Sequence, residues 1–79
     1  MPPLNSFKNT YAELVGLTYG ELSLKQKQTV YAMEIYKDSH DPLIAFDIYY
    51  ASSLEACFID TQNRETFGYT DDTVIESVE

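Results

Sequence analysis

The chain has 79 residues, with 13 acidic side chains against five basic ones and a formal net charge of −8 at pH 7. A chain of this length buries only about 60% of the surface that its unfolded form exposes, so it has one modest core and no room for a second domain or a deep, enclosed substrate cavity. Five basic residues outnumbered by 13 acids cannot form the basic face that neutralises nucleic-acid phosphates, so we expect no direct nucleic-acid binding. The hydrophobic fraction of 44% is in the globular range, which predicts one small acidic domain over residues 1–79.

Cysteine use and hydropathy indicate the compartment. Cys57 is the single cysteine, so an intramolecular disulfide is excluded, whereas a secreted domain of this size usually needs one or more. The N-terminus lacks the basic and apolar regions of a signal peptide, and no apolar run approaches the roughly 20 residues of a membrane span. We therefore expect an unprocessed protein of the cytoplasm, the host cytoplasm if the gene is phage-encoded, with no membrane partner.

The first predicted element is a helix that Asn5 or Ser6 caps. Its apolar residues recur at the spacing of one helical stripe: Phe7, Tyr11, Leu14 and Val15. The next residues, 17–20, are typical of a turn between two glycines.

Two predictions compete for residues 24–37. Ser23 and Gln26 have the spacing of a capping box, which predicts that a second helix begins here. From Thr29 to Lys37, however, β-branched and aromatic residues alternate as in a strand. The alternation favours a strand, but the choice between helix and strand stays open.

Beyond a break at 38–42, the sequence predicts strands. Residues 43–51 alternate, with Ile44, Phe46, Ile48 and Tyr50 on one side. As a helix this segment would be apolar around most of its circumference, more than so small a protein could be expected to bury. Residues 54–61 and 65–70 are predicted to form a hairpin whose loop, 62–64, places Asn63 in a left-handed conformation.

The predicted fold class is therefore α+β, an N-terminal helix packed on a small antiparallel β-meander, with residues 71–79 as a frayed or helical tail. An all-α fold of three to four short helices stays open as the alternative. It is favoured by Asp41 and Pro42, which suit the first positions of a helix, and by a second possible capping box over residues 52–55.

No motif in the sequence indicates catalysis. The three glycines are isolated, so no phosphate-binding loop is present, and one histidine with one cysteine cannot form a usual zinc site. A nucleophilic pair of Cys57 and His40 lacks an orienting third group. We expect no cofactor, no metal and no enzymatic activity.

The distribution of charge is the informative feature. Residues 1–37 carry four bases and three acids, a net charge of +1, whereas residues 38–79 carry ten acids and one arginine, a net charge of −9. On the outer face of the predicted sheet, carboxylates would alternate with tyrosines at intervals of about 6.6 to 6.8 Å, as in a mimic of nucleic-acid phosphates. The predicted partner-binding residues are Glu34, Tyr36, Asp47, Tyr49, Glu55, Asp60, Asp71 and Asp72.

These observations predict a non-enzymatic inhibitor that occludes a basic, nucleic-acid-binding surface of a larger protein. In size, charge and lack of catalytic motifs the chain resembles phage anti-defence proteins of the anti-CRISPR and anti-restriction type, a resemblance of kind that covers no motif. The alternative is a small structural or accessory subunit of a viral or bacterial assembly. A homodimer paired through an exposed strand edge is a further possibility.

Overall fold

A central helix organises the fold, and the other helices pack around it. In the computed structural model, which describes residues 2–78, four α-helices follow one another, with a 3₁₀ turn before the second and a π-helical turn after the fourth. Their bounds are α1 Ser6–Ala12, the 3₁₀ turn Tyr19–Glu21, α2 Leu24–Ser39, α3 Pro42–Tyr50, α4 Ala56–Thr61 and the π turn Gln62–Thr66.

The predicted α+β fold is wrong, because residues 2–78 form helices and no sheet. The all-α alternative fits the structure. The element that the sequence placed first is confirmed: α1 buries Phe7 and Tyr11, and Leu14 follows into the core, although Val15 stays exposed. Asn5 precedes α1 without a side-chain capping bond.

Residues 24–37, left open by the sequence, lie in helix α2. The capping box is present, since the Ser23 hydroxyl accepts from the Gln26 backbone N–H at 3.2 Å and the Gln26 side chain accepts from the Ser23 N–H at 2.7 Å. Every residue from Gln28 to Glu34 is buried. A helix enclosed on all sides has no polar face, so its 3.6-residue period cannot be seen in the sequence. The helix ends at Ser39, and the next residue, His40, adopts a left-handed conformation.

Residues 43–51, predicted as a strand, lie in α3 up to Tyr50. Asp41 caps this helix by accepting from the Leu43 N–H at 2.9 Å, and Pro42 occupies its first turn. At the other end, the buried Gln28 amide donates to the carbonyls of Ile48 and Ala51 at 2.7 and 2.8 Å. A side chain of α2 therefore satisfies carbonyls that the end of a helix leaves without partners.

The predicted hairpin over residues 54–70 is also wrong. Helix α4 and the π turn occupy 56–66, and Glu55 rather than Ser52 or Ser53 stands before the first helical residue. Asn63 is fully buried within the π turn instead of forming a loop, and the left-handed position falls at Gly68.

The predicted frayed or helical tail, whose residue 79 lies outside the described residues, begins with a turn at residues 71–72 and continues without helix to residue 78. It pairs antiparallel with the segment after α1: Gly16 N–H donates to the Ile75 carbonyl at 2.9 Å and Ile75 N–H to the Leu17 carbonyl at 2.8 Å. Two further bonds run from Tyr19 and Gly20 to carbonyls of the tail. Ile75 is almost fully buried, so the tail completes the core. The core consists of Phe7, Tyr11, Leu14, Tyr19, Leu22, Val30, Met33, Ala45, Phe46, Tyr69 and Ile75.

Candidate protein-binding surface

The eight predicted partner-binding residues do not share one face. The sheet that would have aligned them is absent from residues 2–78, so the predicted row of carboxylates at strand spacing, and with it the geometric argument for a nucleic-acid mimic, is wrong. Five of the eight residues bond within the protein, Asp71 among them although 72% of its side chain is exposed, and the other three are exposed. The strand edge proposed for a homodimer is likewise missing from the described chain.

Glu34 belongs to the interior. It is buried on α2, accepts a hydrogen bond from the Tyr69 hydroxyl at 2.7 Å and pairs with Lys37 at 2.8 Å. Burial, followed by the bond to Glu34, raises the pKa of Tyr69 well above its ordinary value. Glu34 therefore stabilises the packing of Tyr69, at the start of the C-terminal segment, and is not available to a partner.

Tyr36 and Tyr49 hold α1 against the other helices. The Tyr36 ring meets Phe7 edge-on at 5.5 Å between centroids, and Lys8 Nζ lies 4.3 Å above that ring and donates to the Tyr36 hydroxyl. The Tyr49 hydroxyl bonds the Thr10 hydroxyl at 2.9 Å. Both tyrosines are half-buried and pack between helices.

Asp60 lies at the centre of a polar cluster formed by Tyr19, Lys27, Asn63 and Arg64. Its carboxylate accepts from the Tyr19 hydroxyl at 2.5 Å and from Arg64 Nε at 3.1 Å, with Lys27 Nζ at 3.7 Å. The bond from Tyr19, more than the nearby cations, holds the pKa of Asp60 below its usual value. Burial, and then the same bond, raises the pKa of Tyr19 to about 12.

The cluster extends to the start of the tail through Arg64, whose Nη2 donates to Asp71 at 2.6 Å. The two cations flank the Tyr19 ring, Lys27 at 5.0 Å and Arg64 at 5.2 Å from its centroid. Asn63 donates to the Tyr19 hydroxyl and to the Lys27 carbonyl. Asp60 is thus held between α2 and α4, and Asp71 links the tail to this cluster through Arg64 although its own side chain is largely exposed.

Asp71 is exposed but paired with Arg64, whereas Asp47, Glu55 and Asp72 project into solvent without such a pair. None of the three forms an ion pair with another residue between positions 2 and 78. Glu55 receives one weak contact, from the Cys57 thiol at 3.6 Å. Of the predicted site, these three carboxylates and the exposed but paired Asp71 are the part that a partner can reach.

Sequence reasoning missed the outer face of α3. Leu43, Ile44 and Tyr50 are 56%, 46% and 53% exposed, and Asp47 lies among them on the same face. Ala45 and Phe46 point into the core. The sequence did contain the signal, since it showed that a helix here would be apolar all round. The inference that such a helix must be buried was the error.

The sequence also raised a metal site and a nucleophilic pair of Cys57 and His40. Among residues 2–78, no three His, Cys, Asp or Glu side chains are grouped closely enough to hold a metal ion. His40 and Cys57 are both exposed. The surface has shallow clefts, among them one of about 370 Å³ between the start of α2 and the α3–α4 link, with Leu24, Leu54 and Ile59 in its wall. This cleft is lined mainly by apolar groups and brings no acid and base together.

Comparisons of the chain with protein-family models, curated proteins and solved structures find no match. Within residues 2–78, no helix has both the length and the apolar composition needed to cross a bilayer.

Proposed function

We propose that this chain is a non-enzymatic binding protein that occludes a basic surface of a larger protein. The observation that carries the proposal is which charged side chains form ion pairs within the protein and which face solvent. Lys27, Lys37 and Arg64, three of the five basic residues, form ion pairs with acids of the same chain. Much of the positive charge is therefore committed internally, while Asp47, Glu55 and Asp72 face solvent.

A surface of this sign attracts basic partners over distances of about a Debye length and accelerates their association. The basic surfaces of nucleic-acid-binding proteins are the natural target, because bound acidic protein and nucleic acid would compete for the same Lys and Arg side chains. An anti-defence inhibitor, of the anti-CRISPR or anti-restriction type, would act in this way. The proposal needs exposed carboxylates on helices and turns, and does not need a sheet.

The experiment has two stages. The tagged protein is used to capture partners from host lysate at about 50 mM and about 300 mM NaCl, and each captured protein is then purified. Fluorescence anisotropy measures whether the acidic protein displaces labelled nucleic acid from that partner. We expect displacement that weakens steeply with salt, and a loss of at least about tenfold when Asp47→Lys and Glu55→Lys are combined.

Glu13→Lys is the matched control, because Glu13 is also exposed but lies outside the predicted set. It should change displacement much less than the double reversal does. A partner that binds equally well at both salt concentrations, with no effect of the reversals, contradicts the proposal. That result would favour the second candidate, a subunit that packs into an assembly, for which the exposed Leu43, Ile44 and Tyr50 are the supporting observation.

A further inference from the structure

Helix α3 has two faces, and only one of them is used by the fold. Successive helical residues are rotated by about 100°, so Tyr50, Leu43, Asp47 and Ile44 follow one another around one side, while Ile48, Ala45, Tyr49 and Phe46 occupy the other. The second set packs against α1 and α2, and the first is exposed. We call the first set, Leu43, Ile44, Asp47 and Tyr50, the outer face of α3.

Three large apolar side chains side by side on an exposed helix gain free energy when they are covered. The charge of the outer face indicates what covers it. Asp47 lies between Leu43 and Ile44 around the helix, and from residue 38 to residue 63 the sequence contains no lysine or arginine. At the start of α3, Asp41 and the exposed Asp38 add negative charge.

A second copy of the chain is a poor occupant. A symmetric pair of α3 helices would bring Asp47 against its own equivalent, because this residue lies near the middle of the face. Two carboxylates would then be desolvated without a cation between them. The nine-residue helix is also only about 14 Å long, which is short for a stable dimer interface.

A basic helix fits the face instead. Leu43, Asp47 and Tyr50 form the i, i+4, i+7 ridge that packs into the groove of another helix, and the described residues offer no sheet edge to which a strand could be added. An arginine or lysine between aliphatic residues would neutralise Asp47 as the apolar groups close around it. Lys25 lies beside Tyr50 in a cleft of about 280 Å³, so the partner's positive charge belongs at Asp47 and away from the Tyr50 end of α3.

We propose that the outer face of α3 is the docking surface for an amphipathic helix of the partner, one that presents arginine or lysine between aliphatic side chains. This inference deepens the proposed function and rests on it for the identity of the partner as a basic protein.

The test uses designed, helix-stabilised peptides and amide NMR spectra of the full chain. One peptide carries an arginine between leucines on one face; in the second, glutamate replaces that arginine; in the third, serines replace the leucines. We expect the first to shift amides of residues 38–51 at peptide concentrations up to about 1 mM, and the other two to bind at least about tenfold more weakly. Asp47→Asn and Leu43→Ser should each weaken binding of the first peptide by a similar factor.

Glu13→Gln is the matched control, because Glu13 is exposed and lies outside the predicted partner-binding set, and it should leave the affinity unchanged. The most discriminating comparison exchanges the charges of residue 47 and of the peptide. The Asp47→Arg variant should bind the glutamate peptide better than the arginine peptide. Circular dichroism checks that each variant is folded. The inference is overturned if no peptide shifts the α3 amides, if the glutamate peptide binds the native chain equally well, or if sedimentation shows a dimer that Leu43→Ser dissociates.

The two proposals fail separately. If a captured basic partner is displaced by salt but binds Asp47→Asn and Leu43→Ser normally, the docking surface is wrong and the function stands. If the peptides bind α3 as expected but no captured partner loses its nucleic acid, the docking surface stands and the inhibitory function is wrong.

Discussion

Replacing Tyr19 with phenylalanine removes one hydroxyl from the centre of the polar cluster. That hydroxyl donates to Asp60 at 2.5 Å and accepts from Asn63 at 3.2 Å. A hydrogen bond to a charged group contributes about 1.5–3 kcal/mol, and the lower half of this range applies because the Asp60 side chain is 32% exposed. The buried Asn63 amide loses one of its two acceptors, which adds about 1 kcal/mol.

We therefore expect Tyr19→Phe to lower the free energy of unfolding by about 2–3 kcal/mol, a large part of the roughly 4–12 kcal/mol typical of a chain this long. Urea denaturation followed by circular dichroism measures it. Tyr50→Phe is the control, because the Tyr50 side chain is half exposed, and it should change stability by less than about 0.5 kcal/mol.

The pH dependence gives a second, independent measurement. The pKa of Asp60 is lower in the folded protein than its ordinary value of 3.8, so its stabilisation is complete above that value and is lost as pH falls through the folded pKa. The pKa of Tyr19 is raised from 10.0 to about 12, so its contribution is complete below pH 10 and is lost toward pH 12. The difference between native chain and Tyr19→Phe should thus be greatest between about pH 5 and pH 10. A difference below about 0.5 kcal/mol, or one that is unchanged at pH 3, would refute the role given to this bond.

Substitutions at three further positions test the fold by the same denaturation assay. Ile75→Ala should lower stability by about 2–5 kcal/mol, because Ile75 is almost fully buried; a loss below about 1 kcal/mol would mean that the tail is not part of the core. Gly20→Ala should cost about 1–3 kcal/mol, because the added Cβ would lie 2.9 Å from Asp71 Cβ and 3.0 Å from its carbonyl oxygen; a neutral effect would contradict this close approach. Ser23→Ala should cost about 1 kcal/mol and Ser23→Asp much less, because only a side chain that accepts from the Gln26 N–H caps α2; equal losses would contradict the capping bond.

The starts of helices were predictable where a short motif carries them. The Ser23–Gln26 capping box and the Asp41–Pro42 pair are local chemistry, and both stand at helix starts as that chemistry requires. Their evidence was outweighed by the alternation of apolar residues in α2 and α3. Alternation is weak evidence against α2, whose middle is surrounded by neighbours, since any order of apolar residues can then be buried. In α3 the alternation misled for another reason, because part of its apolar circumference stays exposed.

The candidate site was harder to predict, because tertiary contacts decide which of its residues are enclosed and which stay exposed. Nothing near Asp60 in sequence shows that Tyr19 and Lys27 will enclose it, whereas Asp47 is left exposed by the direction in which α3 packs. Counting charges along the sequence correctly assigned the excess of acidic residues to the second half of the chain. It could not distinguish carboxylates that neutralise the protein's own cations from carboxylates that remain for a partner.

The pairing of the tail with the segment after α1 has a consequence for how the protein folds and opens. Most helical contacts join neighbours in the sequence, but the bonds between Gly16, Leu17 and Ile75 join residues from opposite ends of the described chain. Closing so long a loop costs entropy that each separate helix avoids. Hydrogen exchange of the Gly16 and Ile75 amides therefore reports opening of the tail. Comparing their exchange rates with those of amides in α2 separates opening of the tail from unfolding of that helix.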